Sequence, residues 1–324
     1  MEPIRVFIDG LSGTTGLKIR ERLARHPNVH IDAISPERRR DPDARRALLN
    51  AADVVFLCLP DAVAIESASM VESKTTCVID ASTAHRTHAD WAYGLPELPG
   101  QRTRIVGAKR ISVPGCHATA FILAVRPLID AGILLPGAPI CAHSITGYSG
   151  GGRELIEKYE APGRDIAYEA SRPYALGLTH KHLPEMTMHA NLSSPPVFHP
   201  ILGDFYQGMT VVLPLHPAML AAHASVDDIV AVYQKAYADE RFVRAARLKD
   251  EHTEQGRFSP IALNGTNDCE LFVSGANGQL SVLSRIDNLG KGSSGAAIQC
   301  MNLAMGYDEG ESLYCRTAAA NEHP

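Results

Sequence analysis

One cysteine stands where the sequence predicts the start of a helix. Pro114 and Gly115 end an extended segment, and the apolar residues after Cys116 recur with helical spacing as far as Gly132. Unpaired N–H groups and the helix dipole at such a position favour an anion, and hence the nucleophilic thiolate form of a cysteine. A free cysteine is more often a small buried packing residue, so this assignment depends on the rest of the chain.

Two histidines separated by one residue form a second candidate for chemistry. His180 and His182 stand in His-Lys-His-Leu-Pro-Glu185, ahead of a predicted helix that continues to Leu192. The pair could bind a metal, but no third Cys or His ligand follows at a matching spacing, so no metal site is predicted. An imidazole acid/base beside a carboxylate explains the motif better.

A glycine-rich loop follows the first predicted strand, Ile4–Asp9, and precedes an amphipathic helix. Its glycines allow a tight turn and a close approach of a pyrophosphate to backbone N–H groups. Such a pattern is weak alone, but its place between the first strand and the first helix predicts a dinucleotide site. The residues assigned to this site are Gly10, Ser12, Gly13, Thr14, Thr15 and Gly16.

The end of the second predicted strand, Val29–Ile34, indicates which dinucleotide is bound. NAD-binding folds usually place a carboxylate there for the ribose 2′-hydroxyl, whereas this chain has Ser35 followed by Glu37 and three arginines. A serine with nearby arginines suits the 2′-phosphate of NADP, so Ser35 and Arg38 are assigned to NADP. The arginines could equally be a solvated helix start, and Glu37 could take the part of the carboxylate.

Apolar runs and helical segments alternate through the first part of the chain. Ala52–Leu59 is a continuous apolar run, typical of a parallel strand that is covered on both faces. A helix follows Pro60, and Thr76–Ala81 is the next strand, so the pattern predicts βαβ units and a doubly wound sheet. Ligands of such sheets bind at the carboxyl ends of the strands, where Pro60, Ser82 and Arg86 stand.

Longer strands and an amphipathic helix, Val226–Tyr237, predict a mixed sheet in the second half of the chain. A strand at Pro139–Gly147 leads into a glycine-rich loop with Ser149 and Arg153. This loop is either a flexible connector or a segment whose glycines let the backbone and Arg153 approach an anionic substrate. Asp287–Leu303 is a glycine-rich turn into an apolar helix. The other predicted strands are Val197–Leu202, Phe205–Leu215, Leu271–Ser274 and Gln279–Ile286.

These patterns predict two α/β domains in the 324 residues. A Rossmann dinucleotide-binding domain is expected at 1–115, with a helix at about 292–306 packing back on it. A second domain with an α+β mixed sheet, which carries the catalytic and substrate-binding candidates, is expected at 116–291, and a loose tail at 307–324.

Composition excludes several classes of protein. The net charge of −5, without a basic domain, argues against nucleic-acid binding. No apolar run approaches the roughly 20 residues of a membrane helix, and no signal-peptide pattern opens the chain. Seven scattered cysteines, without a CxxC pair, indicate a reduced, cytoplasmic protein.

Seven stretches, in order and spanning nearly the whole chain, resemble the short form of the N-acetyl-γ-glutamyl-phosphate reductases of arginine biosynthesis. The chain departs from that family's common pattern at His117-Ala118, where Tyr-Pro is usual, and at Ala84-His85, where Asp-Phe is usual. The resembling stretches are Gly10–Gly16, Asp80-Ala-Ser-Thr-Ala-His-Arg86, Tyr93-Gly-Leu-Pro-Glu97, Pro114-Gly-Cys116, Gly147-Tyr-Ser-Gly-Gly-Gly-Arg153, His180-Lys-His-Leu-Pro-Glu185 and Asp287-Asn-Leu-Gly-Lys-Gly292.

The resemblance implies an activity and a role for each candidate residue. The activity is NADPH-dependent reduction of N-acetyl-γ-glutamyl phosphate to N-acetylglutamate 5-semialdehyde, with release of phosphate, through a cysteine thioester. The expected assembly is a homodimer or homotetramer. The second domain, at 116–291, is expected to resemble that of glyceraldehyde-3-phosphate dehydrogenase and to serve in catalysis, substrate binding and oligomerisation. The roles are Cys116 as nucleophile, His182 (with His180 second) as acid/base, Glu185 to orient the histidine or bind substrate, Arg86, Arg153 and Ser149 for substrate, and Asn288 and Gly292 near the nicotinamide.

Two other functions remain open from the sequence. A related semialdehyde dehydrogenase could act on another acyl phosphate, of the aminoadipate or aspartate type. A non-catalytic NADP-binding sensor would share the fold, because a fold alone does not prove catalysis.

Overall fold

The computed structural model describes residues 3–220, 224–276 and 278–315. These residues form two compact units. The first unit contains the chain up to Gly115 together with Ser293–Leu313, and the second contains Cys116–Gly292 and the chain from Tyr314. The first unit is therefore built from two separate stretches of sequence.

The first unit contains a six-stranded sheet in which all the strand pairs are parallel. Its strands are β1 Ile4–Asp9, β2 Val29–Asp32, β3 Val54–Leu57, β4 Cys77–Asp80, β5 Ala92–Tyr93 and β6 Arg110–Ser112. They lie in the order β2-β1-β3-β4-β6-β5, so the chain turns to one side after β1 and crosses to the other side at β3. Ligands of open α/β sheets bind at such a switch point.

Helices alternate with these strands. The helices of the described residues are α1 Thr14–Leu23, α2 Pro42–Ala51, α3 Asp61–Ser69, α4 Gln101–Ile105, α5 Cys116–Asp130, α6 Arg153–Glu160, α7 Leu183–His189, α8 Val226–Ala236 and α9 Gly295–Met305. The first four and α9 belong to the first unit, where α9 contacts α1 and α4. Because helices cover both faces of its sheet, β3 is buried at every residue, as its continuous apolar run predicts.

The carboxyl ends of four neighbouring strands lie side by side in the first unit. Asp9 pairs with Leu57, Leu57 with Asp80, and Asp80 with Ser112. The segments that leave these strands therefore start from one edge of the sheet. This edge carries the Gly10–Gly16 loop and two other residues that the sequence assigns to the cofactor, Pro60 after β3 and Ser82 after β4.

The second unit contains a seven-stranded mixed sheet. Its strands are β7 Cys141–Gly147, β8 Arg172–Pro173, β9 Val197–Gly203, β10 Met209–Leu215, β11 Val243–Arg247, β12 Cys269–Ala276 and β13 Gln279–Ile286. Their order is β11-β12-β13-β10-β7-β9-β8, with β11 parallel to β12 and β7 parallel to β9. The other pairs are antiparallel. Both predicted sheet types are thus confirmed.

Several boundaries differ from the sequence predictions. The second strand ends at Asp32, so Ser35 follows the strand by three residues and is not at its end. The strand predicted from Phe205 begins only at Met209, because Gly208 has a left-handed φ of +109° and residues before it turn. The predicted tail includes Asp308–Leu313, which belong to the first unit, where Glu309 pairs with Arg102. Residues 316–324 lie outside the described residues.

No helix among the described residues is long and apolar enough to cross a membrane. β11 has no counterpart in the sequence predictions. Its sequence, Val-Arg-Ala-Ala-Arg, mixes arginines with small residues, so it has no apolar run that would predict a strand.

Candidate active site

Cys116 is the first residue of α5, at the N-terminal end of a 15-residue helix whose interior is almost entirely buried. The thiol is half-buried. The dipole of the helix favours a negative charge at this end, and hence the thiolate. Gly292 packs against the cysteine so closely that a Cβ there would lie 2.6 Å from the Cys116 Cβ. A larger residue at 292 would therefore displace the cysteine.

Three imidazole rings gather beside the start of α5. The ring centroid of His117 lies 5.4 Å from that of His180 and 5.6 Å from that of His182. The rings of His180 and His182 are 4.7 Å apart and nearly perpendicular. Because His117 follows Cys116 directly in the chain, both predicted acid/base candidates lie near the helix end that carries Cys116.

His117 was not assigned by the sequence analysis, and the structure makes it the centre of this cluster. Its Nδ1 lies 2.8 Å from the Ser144 Oγ and its Nε2 lies 2.9 Å from the Tyr174 hydroxyl. Burial, and secondarily the nearby His180, lower the pKa of His117 to about 3. The imidazole is therefore neutral near neutral pH. In the sequence, only its position next to Cys116 indicates a functional role for His117. Nothing in the sequence indicates a role for Ser144 or Tyr174.

The two acid/base candidates differ in their surroundings. His182 is buried and caps the start of α7. His180 is half-buried, and its Nδ1 accepts a hydrogen bond of 3.2 Å from the His182 backbone N–H. A neutral His180 therefore carries its hydrogen on Nε2. Glu185 is buried on α7. Its assigned role, to orient the histidine or bind substrate, stays a prediction.

The turn before α9 is held by one carboxylate. Asp287 is fully buried and accepts hydrogen bonds of 2.8 Å from the backbone N–H groups of Leu289 and Gly265. The backbone N–H of Gly292 in turn donates to the Asp287 carbonyl at 2.9 Å. These bonds fix the turn that places Gly292 against Cys116.

Two other assigned residues bind each other next to this turn. The Asn288 side chain donates to the Ser149 Oγ at 3.0 Å and accepts from the Gly208 N–H at 2.7 Å. Both side chains are buried. The sequence assigned Asn288 to the nicotinamide and Ser149 to the substrate, and the structure places the two in direct contact.

The two predicted substrate arginines lie in contrasting environments. Arg86, in the first unit, is buried and donates to the carbonyl groups of Val113 (2.9 Å) and Ala81 (3.2 Å). Arg153, in the second unit, begins α6, is 74% exposed and forms an ion pair of 2.7 Å with Glu157 one turn later. A surface pair of this kind is weak, so the Arg153 side chain is available to another anion.

The Gly10–Gly16 loop has the geometry of a phosphate cradle. Gly10 has a φ of +91°, and a Cβ there would lie 2.3 Å from the Cys58 carbonyl oxygen. A Cβ at Gly16 would lie 2.7 Å from the Gly10 carbonyl oxygen. No side chain caps the start of α1, so its first N–H groups stay available for an anion. Ser12 and Thr14 lie in the same loop, and Thr15 Oγ1 is 3.2 Å from Ser293 Oγ.

A second loop at this edge is ordered by a buried carboxylate. Asp80, at the end of β4, accepts from the Ser82 hydroxyl at 2.7 Å and lies 2.6 Å from the His85 Nδ1. The His85 ring stacks on Trp91 with a centroid distance of 3.9 Å. His85, one of the departures from the family pattern, thus supports the loop that carries Ser82. Pro60, exposed, caps α3 at the same edge.

The segment after β2 presents both signs of charge. A hydrogen bond from its own backbone and a second from Ser35 lower the pKa of Glu37, so its carboxylate stays charged. Arg38 binds Asp41 at 3.2 Å in an exposed pair. Asp32, at the strand end, is held by Arg5 at 2.9 Å. The sequence around Ser35 therefore offers arginines together with three carboxylates, those of Asp32, Glu37 and Asp41.

These features fit a nicotinamide dinucleotide. A side chain at Gly10 or Gly16 would clash with nearby backbone, so these glycines allow the tight turn of the phosphate cradle. The cradle lies at the switch point of a parallel sheet, where such sheets bind ligands. No group of three or more Cys, His, Asp or Glu in the described part of the chain has the arrangement of a metal site.

Comparisons with known proteins agree with the two-unit structure. A model of the semialdehyde dehydrogenase NAD-binding domain matches residues 5–106, and a model of the semialdehyde dehydrogenase dimerisation domain matches residues 116–288. N-acetyl-gamma-glutamyl-phosphate reductase 2 of Nostoc sp. is 43% identical over 95% of this chain and 99% of its own. N-acetyl-gamma-glutamyl-phosphate reductase of Brucella ovis is 42% identical over 94% of this chain and 100% of its own.

Solved structures with low sequence identity share the fold. Aspartate semialdehyde dehydrogenase II of Vibrio cholerae, in complex with ASA, has a TM-score of 0.70 at 15% identity, covering 94% of this chain and 98% of its own. Aspartate semialdehyde dehydrogenase of Candida albicans, solved with NADP, has a TM-score of 0.64 at 15% identity, covering 93% and 98%.

Proposed function

Since the chain belongs to the N-acetyl-γ-glutamyl-phosphate reductase family, we propose that it reduces N-acetyl-γ-glutamyl phosphate to N-acetylglutamate 5-semialdehyde in arginine biosynthesis. The reductant is NADPH, and phosphate is released. The observation that carries the proposal is Cys116 at the start of α5 beside three imidazole rings, in a chain 43% identical to a curated reductase over nearly its full length.

The chemistry begins at the thiolate of Cys116. The sulfur attacks the acyl carbon of the substrate, the bond to phosphate breaks, and a thioester remains on the cysteine. A reduced nicotinamide, when bound, supplies the hydride that the thioester carbon requires. Collapse of the resulting thiohemiacetal returns the thiolate and releases the aldehyde. The covalent route divides one difficult step into easier ones.

An imidazole supplies the proton transfers. We assign this role to His182, with His180 second, because both rings lie beside the residue that follows the nucleophile. Glu185 orients the histidine or binds substrate. Arg86 and Arg153 are assigned to the phosphate and carboxylate of the substrate, since a guanidinium group matches both anions, and Ser149 assists them.

The reverse reaction tests this function. In a buffer that contains inorganic phosphate and no arsenate, N-acetylglutamate 5-semialdehyde should support reduction of NADP⁺. Aspartate semialdehyde and the aminoadipate analogue should support it poorly. A preference for either of those compounds would favour the related semialdehyde dehydrogenases. NADP binding without turnover of any of them would favour a sensor.

Cofactor preference provides a further prediction. We expect kcat/KM for NADPH to exceed that for NADH by about ten- to a hundredfold. One charge-assisted bond from Arg38 or its neighbours to the 2′-phosphate contributes about 1.5–3 kcal/mol, and about 1.4 kcal/mol corresponds to a factor of ten. The exposed pair of Arg38 with Asp41 is weak enough to yield to a phosphate.

Variants at Ser35 and Glu37 separate the two charges around this site. Ser35→Asp should raise KM for NADPH and reduce the preference, because a second carboxylate repels the phosphate. Glu37→Gln should increase the preference, since it removes the carboxylate that lies beside Ser35. Equal kcat/KM for the two cofactors in the unmodified protein would show that the arginines are only surface charge.

A homodimer or homotetramer is proposed from the second unit. Ile145 on β7 and Val197 on β9 are 39% and 45% exposed on the same face of the sheet, whereas their neighbours Ala142 and Phe198 are buried. Exposed apolar faces of this kind are typical of protein–protein contacts. Sedimentation equilibrium at micromolar concentration measures the assembly, and a monomer there would contradict it.

A reducing, cytoplasmic location is also proposed. All seven cysteines are free thiols, as expected of a protein that works where disulfides are not maintained.

A further inference from the structure

A buried carboxylate lies directly before the phosphate cradle. Asp9 is the last residue of β1, next to Gly10, and its side chain is 8% exposed. Its Oδ2 accepts hydrogen bonds from the Arg45 Nη2 at 2.8 Å, from the Arg45 Nε at 3.3 Å and from the Ser67 hydroxyl. The Arg45 Nη2 also donates to the Ser67 Oγ at 3.0 Å. The three side chains therefore form a closed cluster of contacts, the Asp9 cluster.

Three elements that are separate in sequence meet in the Asp9 cluster. Asp9 ends β1, Arg45 lies on α2 and Ser67 lies on α3. Ser67 is fully buried, and the Arg45 side chain is only 11% exposed. A carboxylate with so little contact with water needs a cation beside it, and Arg45 supplies that charge. The cluster therefore does more than join two surface helices, because it holds a buried charge at the end of β1.

The position of this charge matters for an anionic ligand. The cradle begins at Gly10, whose Cα follows that of Asp9 by about 3.8 Å, and it leads into α1. The dipole of α1 places roughly half a positive charge at the start of the helix. A carboxylate carries a full negative charge. If Asp9 had no cation, its charge would therefore outweigh the dipole, and the loop would repel phosphate groups.

We propose that Arg45 keeps the Gly10–Gly16 loop attractive to the diphosphate of the dinucleotide by neutralising the charge of Asp9. Arg45 acts through Asp9 and is therefore a positioning residue. The inference rests on the proposed function in one respect, the binding of a nicotinamide dinucleotide at this loop. The competing role is a tether, in which the cluster only holds α2 and α3 against β1.

The test measures binding and requires no turnover. The Kd values of NADPH and NADH are obtained from the fluorescence of the reduced nicotinamide, with the full chain at pH 8 and low ionic strength, where charges are least screened. Arg45→Met should raise both Kd values by about tenfold, because the uncompensated carboxylate opposes the charge of the diphosphate. Both cofactors contain the diphosphate, so the ratio of the two Kd values should stay within about twofold.

Three further variants separate the charge from the tether. Arg45→Lys keeps the positive charge without the planar fork of donors, and it should bind NADPH within about threefold of the unmodified protein. Asp9→Asn/Arg45→Met removes both charges and should also return to within about threefold, although every ion-pair contact is lost. Asp9→Asn alone leaves the charge of Arg45 uncompensated, and it should bind NADPH about two- to fivefold more tightly. A tether predicts the opposite, namely weaker binding in all three variants.

Arg46→Met is the matched control, because Arg46 is the next residue on α2 and forms an ion pair of 2.8 Å with Glu72 in which both side chains are exposed. It should leave both Kd values unchanged. Unchanged Kd values in Arg45→Met, a double variant as weak as Arg45→Met, or a loss confined to NADPH would overturn the inference. If Arg45→Met fails to fold, Asp9→Asn still decides, because the two roles predict opposite directions for it. Failure of the unmodified protein to bind either cofactor would overturn the proposed function, and this inference with it.

Discussion

Turnover in the Cys116→Ser variant should fall by on the order of 10⁴-fold or more, while NADPH still binds with nearly unchanged affinity. A serine hydroxyl is not ionised near neutral pH, so the thioester cannot form at a useful rate. The phosphate cradle at Gly10–Gly16 belongs to the first unit and keeps all its glycines. Steady-state kinetics and a fluorescence titration with NADPH measure the two effects on the same preparation.

Cys315→Ser is the matched control for this substitution. Cys315 is also a half-buried free thiol of the second unit, and its Sγ lies 3.9 Å from the Arg241 carbonyl oxygen, away from the assigned site residues. It should retain full activity. Near-normal turnover in Cys116→Ser would refute the covalent route, whatever the control shows.

The second large effect is expected at His182, the proposed acid/base. His182→Asn should lower kcat by about 10²–10⁴, the usual contribution of a positioned general acid or base. Asparagine retains a polar group of similar reach but cannot take up a proton at neutral pH. Because a proton acceptor is lost rather than a binding group, KM for the acyl substrate should change much less than kcat.

His180→Asn decides between the two candidates. It should cost less than His182→Asn, and a larger loss at His180 would reverse the assignment. His30→Asn serves as a control, since this histidine is 69% exposed on β2. Circular dichroism of each variant separates loss of chemistry from loss of structure.

The fold was predictable because its signals are local. The apolar run of β3, the glycines of the first loop and the helical spacing after Cys116 each specify an element within a few residues. The structure confirms the parallel and mixed sheets that these patterns predict. Boundaries were less accurate, as at β2, because the residues Ala33–Ile34 are apolar enough to read as strand although the chain has left the sheet.

Much of the candidate site could not be predicted, because its contacts join residues far apart in sequence. His117 meets Ser144 and Tyr174 only after the second unit folds. No pattern in the Ser144 strand or around Tyr174 indicates such a contact. Similarly, the pairing of Arg153 with Glu157 follows from helix geometry, but whether a substrate displaces Glu157 depends on surroundings that spacing does not describe.

The divided first unit has a consequence for synthesis on the ribosome. The second unit is continuous from Cys116 to Gly292, but α9, whose residues Gly295–Asn302 are all buried in the first unit, is made after it. Ala296, Ile298 and Met301 belong to the same apolar core as β1, β3 and β4. A nascent chain therefore carries an unfinished core in its first unit at a stage when Cys116–Gly292, the main stretch of its second unit, has already been made. This reverses the usual N-terminal-first order of domain folding, and it makes the unfinished half dependent on protection from aggregation until the last helix emerges.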